Sequence, residues 1–407
     1  MKSLKMTVFC MLIILVLSIA SCNRKPRRST ASENDTEDFN VTEFSSLSSR
    51  FPVIATEEGL YYILKSFLYY ADLKTQKTYP LCFKLGCRHE EEHNMLNCDA
   101  CVGMNLSGDG NFLGQYKGKL YLCTVDHEEA EMRNQLVSME MDGSAKKILI
   151  KNMNGIDSGT MLFHRGFLYY ITNAQKESGE FAQQIRRIPI DQIDQIDEKS
   201  EVLVSIARKE KHFDSGIPFL PLKDKLYYTE EYYGEDMLGD FYCYDLSSGE
   251  EHLLAESQQL LISGAVGDHL ILLKSDGYNV QHLEYSPESA DFSEATWLNK
   301  LHEQHPEWAC QASCINEDFA LMFTAEIDGD TVVSVDTDLK VVDRQGNLLC
   351  EIKDEAKPWT SPQIKTIKGE KYLVMFGPDY VGDTTVELYK VSDLLQGKAE
   401  PQRIHRQ

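Results

Sequence analysis

The residues from Pro80 to Cys101 read PLCFKLGCRHEEEHNMLNCDAC, which sets Cys82, Cys87, Cys98 and Cys101 around His89. Thiolate and imidazole donors at these spacings suit a tetrahedral zinc ion, and a segment this long without apolar periodicity needs some cross-link to be ordered. Paired cysteines in an exported chain are also used for disulfides, and Cys98 could join Cys101 or reach across to Cys82 and Cys87. Metal site and disulfide or free thiol are both open from the sequence. The HEEEH run from His89 to His93 matches the zinc-protease pattern HExxH, but that chemistry needs a packed helix. Cysteine and charge flank the run instead of an apolar face, so the protease reading is set aside.

The elements that position this segment repeat along the chain. An aromatic or apolar strand recurs as EGLYYIL from Glu58, GKLYLC from Gly118, GFLYYI from Gly166, DKLYYTE from Asp224, DHLILL from Asp268, DFALMF from Asp318 and EKYLVMF from Glu370. The starts lie about 45 to 60 residues apart, the period of a four-stranded propeller blade. PVIAT, NFLGQ, TMLFH, PFLPL, LISGAV, CQASCI and QIKTI precede them as candidate innermost strands. Third and fourth strands join at DLKTQKT, MDGSAKK, DLSSGEE, DRQGN and LLQGKAE, where Gly or Ser-Ser supplies a turn. The expectation is an all-β fold, a β-propeller of seven four-stranded blades. Six or eight blades stay open because of the IDQIDQIDEKSE insertion at Ile190 and a weak third strand in the fifth unit. Cys123, Cys243 and Cys350 fall in strands and read as core; Cys310 and Cys314 read as buried thiols or a local bridge.

Propeller topology puts the turns between strands one and two and between three and four on one face, and the other connections on the opposite face. The first kind are tight here (KG, RG, KD, GD) and the second kind are long. Function is therefore expected on the long-loop face, around the mouth of the central channel, with the Cys/His segment there as the connection from blade one to blade two. On that face Tyr232, Tyr233, Tyr278, Tyr380, Trp308 and Trp359 could present rings to a glycan or peptide. Asp328 with Asp330, and Glu235 with Asp236, could hold calcium. The plainer use of each is a solvated loop charge or a tryptophan packed under the next blade.

The 407 residues carry a net charge of −23, which argues against nucleic acid because counterion release needs clustered Lys and Arg. Hydrophobic residues make up 42% and aromatics 10%, enough for a large core. Residues 1–21 hold Lys2, Lys5, the apolar stretch MTVFCMLIILVLSIA and the small-residue tetrad IASC, the pattern of a lipoprotein signal peptide cleaved before Cys22. Cys22 would then carry lipid, residues 22–50 would be a polar linker whose Arg24, Lys25, Arg27 and Arg28 lie near anionic headgroups, and 51–407 would be the propeller. The expected address is the extracytoplasmic face of a bacterial cell membrane.

FLYYADLKTQKTYPLCFKLGCRH, with CDA from Cys98, resembles a motif of TolB-like β-propeller lipoproteins of anaerobic Gram-positive gut bacteria, some grouped as a domain of unknown function. The resemblance implies a surface-anchored propeller and no particular activity. Cys101 and the EEEHN insert depart from that motif. The sequence lacks the GxSxG of a prolyl-oligopeptidase-like hydrolase and the repeated Ser-x-Asp-x-Gly-x-x-Trp turns of a sialidase, and its many carboxylates single out no glycosidase pair. The expected function is a binding module for a peptide, glycan or partner protein; the rivals are a hydrolase or lyase with acidic residues at the channel mouth, and a structural part of an envelope complex.

Overall fold

One position recurs through the aromatic strands: Leu60, Leu120, Leu168, Leu226, Leu270, Ala320 and Leu373 are all fully buried. Each packs toward the blade before it, while the next residue (Tyr61, Tyr121, Tyr169, Tyr227, Ile271, Leu321, Val374) packs toward the blade after it. Side chains alternate across a strand, so a strand with apolar residues at consecutive positions is buried on both faces. The result is seven hydrophobic clusters, one at each junction between neighbouring blades.

The computed structural model describes residues 52–64, 67–82, 84–87, 98–102, 112–126, 133–175, 181–208, 217–231, 239–258, 260–276, 279–328, 331–336, 338–353, 362–376 and 385–406. The strands form seven antiparallel four-stranded blades spanning 53–80, 113–150, 156–208, 219–258, 260–294, 308–352 and 363–406. The blade count is thus seven, and the third strand of blade 5, expected to be weak, is a full strand at Asn279–Ser286. First strands of neighbouring blades contact one another, as with Leu260–Val266 against both Phe219–Leu222 and Trp308–Ile315, so they line the inside of the ring.

Blades 1 and 7 are each built from one continuous stretch of chain, and among the described residues no strand is exchanged between the chain ends. Closure uses other contacts. The fourth strands, Lys77–Pro80 and Gln402–Arg406, pair in parallel through His405 with Lys77 and Arg406 with Thr78. Inside, Val53 N–H donates to Gln363 Oε1 at 3.3 Å, and the Tyr62 and Phe376 rings lie 5.0 Å apart across the junction.

The insertion at Ile190 folds as a 3-10 turn, Ile190–Gln195, and a short helix, Ile196–Lys199, between the third and fourth strands of blade 3. Its IDQ repeat matches the three residues per turn of a 3-10 helix, which stacks every third residue on one face. Ile190 and Ile193 are buried at the junction with blade 2, while Asp191 pairs with Lys117 at 2.7 Å and Asp194 with Lys147 at 3.0 Å. The tight turns also have a local cause. Lys117 and Gly118, like Lys368 and Gly369, have consecutive positive φ angles, the backbone of a two-residue hairpin turn that matches strand twist.

A helix, Thr296–Gln304, links blades 5 and 6 and buries Trp297, Leu298 and Leu301. His282 is pinned beneath it. Ala312 N–H donates to His282 Nε2 at 3.1 Å, so Nδ1 carries the proton toward Asn299 Oδ1 at 3.2 Å. Burial pushes the His282 pKa down from 6.5 to about 4, with the Asn299 contact working against it. The unfolded chain therefore binds a proton that the folded chain refuses, so stability is full above pH 6.5 and falls as pH drops toward 4. The loss attributable to this group is on the order of 3 kcal/mol across that window. Thermal unfolding between pH 7 and 4.5 is expected to show a steeper acid loss for the native chain than for His282→Gln; parallel slopes would contradict this assignment.

Candidate metal centre and loop face

Cys82 follows the last strand of blade 1, and Cys98 opens the segment that leads into blade 2. The chain returns at 98–102 as a wedge between the two blades. Leu68 N–H donates to Ala100 O at 2.8 Å, Val125 N–H donates to Val102 O at 3.1 Å, and Cys101 forms a backbone bridge with Phe67. On the outgoing side, Leu81 N–H donates to Leu68 O at 2.8 Å. These bonds bring the sulfurs of Cys82, Cys87 and Cys98 within 4.8 Å of one another. They are the one such convergence of metal-ligating side chains among the described residues.

The trio is polarised. Burial pushes the Cys82 thiol up, but the N–H groups of Lys84 and Asp99, then the S–H groups of Cys98 and Cys87, outweigh it and hold Cys82 below its usual value. Burial, with Cys87 alongside, pushes Cys98 well above its usual value despite the Ala100 N–H. Hydrogen bonds to sulfur favour its anion, whereas a low-dielectric setting disfavours it. Of the two, Cys82 has the surroundings that favour the anion and Cys98 those that disfavour it. Lys84 Nζ lies 3.0 Å from Asp99, tying the two arms of the site together at its surface.

One sequence expectation changes here. Cys101 is not one of the three thiols that converge, although it is buried with Cys98 in the cluster shared by blades 1 and 7. In the CDAC stretch the Cys101 N–H closes a turn onto Cys98 O at 3.1 Å, and pairing with Phe67 then fixes Cys101 toward the core. The three cysteines follow the outermost strand of blade 1 and pack against the cluster shared by blades 1 and 7, while Leu81 and Val102 beside them enter the cluster shared by blades 1 and 2. Gly143, in the turn between the third and fourth strands of blade 2, lies so close that a Cβ there would come within 2.8 Å of Leu81 Cγ. His89 and His93 lie outside the described residues.

The remaining described cysteines are core groups. Cys123 and Cys310 are buried, and burial pushes each thiol up to about 12. Cys243 is buried and Cys350 half-buried. The local bridge considered for Cys310 and Cys314 does not form, since a β-bulge between Ala312 and Cys314 shifts the pleat. Cys310 then faces blade 5 and Cys314 faces blade 7.

Of the loop-face candidates, Trp308 and Asp328 are described; Tyr232, Tyr233, Asp236, Tyr278, Asp330, Trp359 and Tyr380 lie outside the described residues, as do Glu235 and the lipidation candidate Cys22. Trp308 opens the first strand of blade 6 and is half-buried. Its ring stacks on His305 at 4.1 Å, and the Lys340 ammonium lies 5.7 Å from its centre. Lys340 is itself buried between Asp336 at 2.7 Å and Glu351 at 2.8 Å. The chain's own residues thus occupy the tryptophan.

Asp328 is exposed at the end of the second strand of blade 6, Phe319–Asp328, the longest in the ring. That strand outruns its blade and pairs with an additional strand, Thr331–Val335, through Asp328 with Thr331 and Ala325 with Val335. Val333 and Val335 on this added hairpin are 59% and 55% exposed. The sequence TVVSV gave no warning of that, because its alternation is that of any half-buried strand. The described carboxylates with clear shifts all lie low. Hydrogen bonds from Ser247 and Ser248 hold Asp245 down, Lys340 and the Asp338 N–H outweigh burial at Asp336, and Asn347 and Gln345 outweigh it at Asp343. Each is a stabilised anion in a turn.

No protein-family model and no curated protein matches the chain. Similar solved structures include the β-propeller domain of the Trilobed protease from Pyrococcus furiosus, described as having an open velcro topology, at 11% identity and TM-score 0.48 over 87% of this chain and 97% of that one. TolB from Acinetobacter baumannii is similar at 12% identity and TM-score 0.37 over 87% and 78%. The Pyrococcus horikoshii acylaminoacyl peptidase is similar at 10% identity and TM-score 0.45, and the chain spans 53% of its length.

If Trp308 serves the fold, Trp308→Ala should lower unfolding stability by about 2 kcal/mol while Asp328→Ala stays within about 0.5 kcal/mol. Denaturant titration of both variants checks this; an unaffected Trp308→Ala would free that ring for a ligand.

Proposed function

We propose that the chain is a lipid-anchored, extracytoplasmic β-propeller that works as a recognition module, contacting a partner protein or peptide through the face that carries the connections between second and third strands. The observation that carries this reading is the added hairpin of blade 6. It extends the sheet past the blade and presents Val333 and Val335 to solvent next to the acidic residues Glu326 and Asp328. An exposed strand with apolar side chains is costly unless something covers it, and peptides add to such strands by main-chain pairing. The signal-like residues 1–21 and Cys22 support the address on a bacterial cell membrane. The polar linker 22–50 would hold the propeller off that surface. Retention of a glycan without product would widen the ligand class, and turnover in a peptide or glycan screen would favour the hydrolase or lyase reading.

A photo-crosslinking amino acid at Val333 should give a discrete adduct in cells, and one at Lys368, in a tight turn of blade 7 on the opposite face, should give none. Equal labelling from both positions, or none from Val333, would sink the face assignment. Cys22→Ser should move the chain from the membrane fraction to the soluble fraction, and continued membrane retention would remove the lipid anchor from this reading.

A further inference from the structure

We infer that Cys82, Cys87 and Cys98 bind one Zn²⁺ ion that staples the outgoing arm of the blade 1–blade 2 connection to its returning wedge. This stands apart from the recognition reading, since it concerns the connection from blade 1 to blade 2 and not the hairpin of blade 6. Three sulfurs within 4.8 Å of one another need little movement to reach a metal. Zn–S bonds of about 2.3 Å in tetrahedral geometry place sulfurs about 3.8 Å apart. A disulfide would use two of the three and leave the third thiol crowded against it, whereas one metal ion uses all three.

The donor set selects the ion class. Thiolates suit zinc and other soft ions and exclude calcium or magnesium, which need oxygen ligands. The backbone prepares the site, because the N–H groups of Lys84 and Asp99 already point at Cys82 sulfur and that of Ala100 at Cys98 sulfur. Such bonds orient thiolate ligands and spread their charge. Binding forms three Zn–S bonds and releases the protons of whichever thiols are still protonated, up to three; no electron is transferred. Three thiolates on Zn²⁺ leave a net charge of −1, beside the Lys84–Asp99 pair at 3.0 Å.

The role follows from what the two arms hold. Leu81 is fastened to Leu68, Ala100 to Leu68 and Val102 to Val125, so the segments on either side of the three cysteines carry backbone bonds of both blades. Ala100 is fully buried and Val102 nearly so. A metal joining Cys82 and Cys87 to Cys98 would fix the wedge in place against blade 1 and both of its neighbours.

The test uses the full chain purified in detergent without chelator. Elemental mass spectrometry should find about one zinc per chain. That zinc should be lost in Cys87→Ser and kept in Cys350→Ser, whose thiol lies in blade 6. Because Cys87→Ser could fail to fold, the native chain is also stripped with chelator. Its melting temperature should fall and recover on adding Zn²⁺, and Co²⁺ in place of zinc should give a thiolate-to-cobalt charge-transfer band. Absence of zinc, copper in its place, zinc unaffected by Cys87→Ser in a folded variant, or no change in melting temperature on stripping would overturn the proposal. So would a disulfide between any two of the three cysteines, found by peptide mapping after alkylation under non-reducing conditions.

Discussion

Everything in this molecule depends on seven sheets packing face to face, which requires the second strand of every blade to be apolar on both sides. The ring of Leu60, Leu120, Leu168, Leu226, Leu270, Ala320 and Leu373 faces one way, and the ring of residues just after them faces the other. Burying one such leucine contributes roughly 1.5–3 kcal/mol. Each junction holds ten or more buried side chains, so the ring is made of seven comparable cores and has no single centre. Ala320 is the small member of the first ring, and helix residues Trp297, Leu298 and Leu301 fill the same junction.

A ring of this kind must be closed and its gaps between blades must be filled. Closure comes from the parallel pairing of the outer strands of blades 1 and 7 and from the Val53–Gln363 bond inside. The gaps are filled by connections that wedge between blades, by three different means. The helix 296–304 does it between blades 5 and 6, the IDQ turn between blades 2 and 3, and the segment 98–102 on both sides of blade 1, with Cys98, Ala100 and Cys101 facing blade 7 and Val102 facing blade 2. Each buries apolar side chains of its own. The wedge 98–102 is held in addition by backbone bonds to Leu68 in blade 1 and Val125 in blade 2.

The same architecture explains which polar groups are inside. His282 and Lys340 are buried because each bridges elements that the junction has already brought together. His282 joins blade 5 to blade 6 as a neutral ring, and Lys340 stays charged between two carboxylates and beside Trp308. Burial disfavours charge in both, and only Lys340 has anionic partners that outweigh it.

By itself the sequence determined the blades. The LYY strands, their spacing, the KG and RG turns and the preceding inner strands are local signals, because periodicity and turn chemistry act within a few residues. It also narrowed the chemistry to Cys82, Cys87, Cys98 and Cys101. Only the tertiary structure decided that Cys82, Cys87 and Cys98 converge without Cys101, since that depends on the wedge pairing with Phe67 and Val125 in two different blades. It likewise decided that Cys310 and Cys314 part company, because one bulged residue reverses the side on which everything after it points. That Trp308 is held by His305 and Lys340, while Val333 and Val335 face solvent, follows from where strands end relative to their neighbours. Side-chain alternation along one strand carries no information about that.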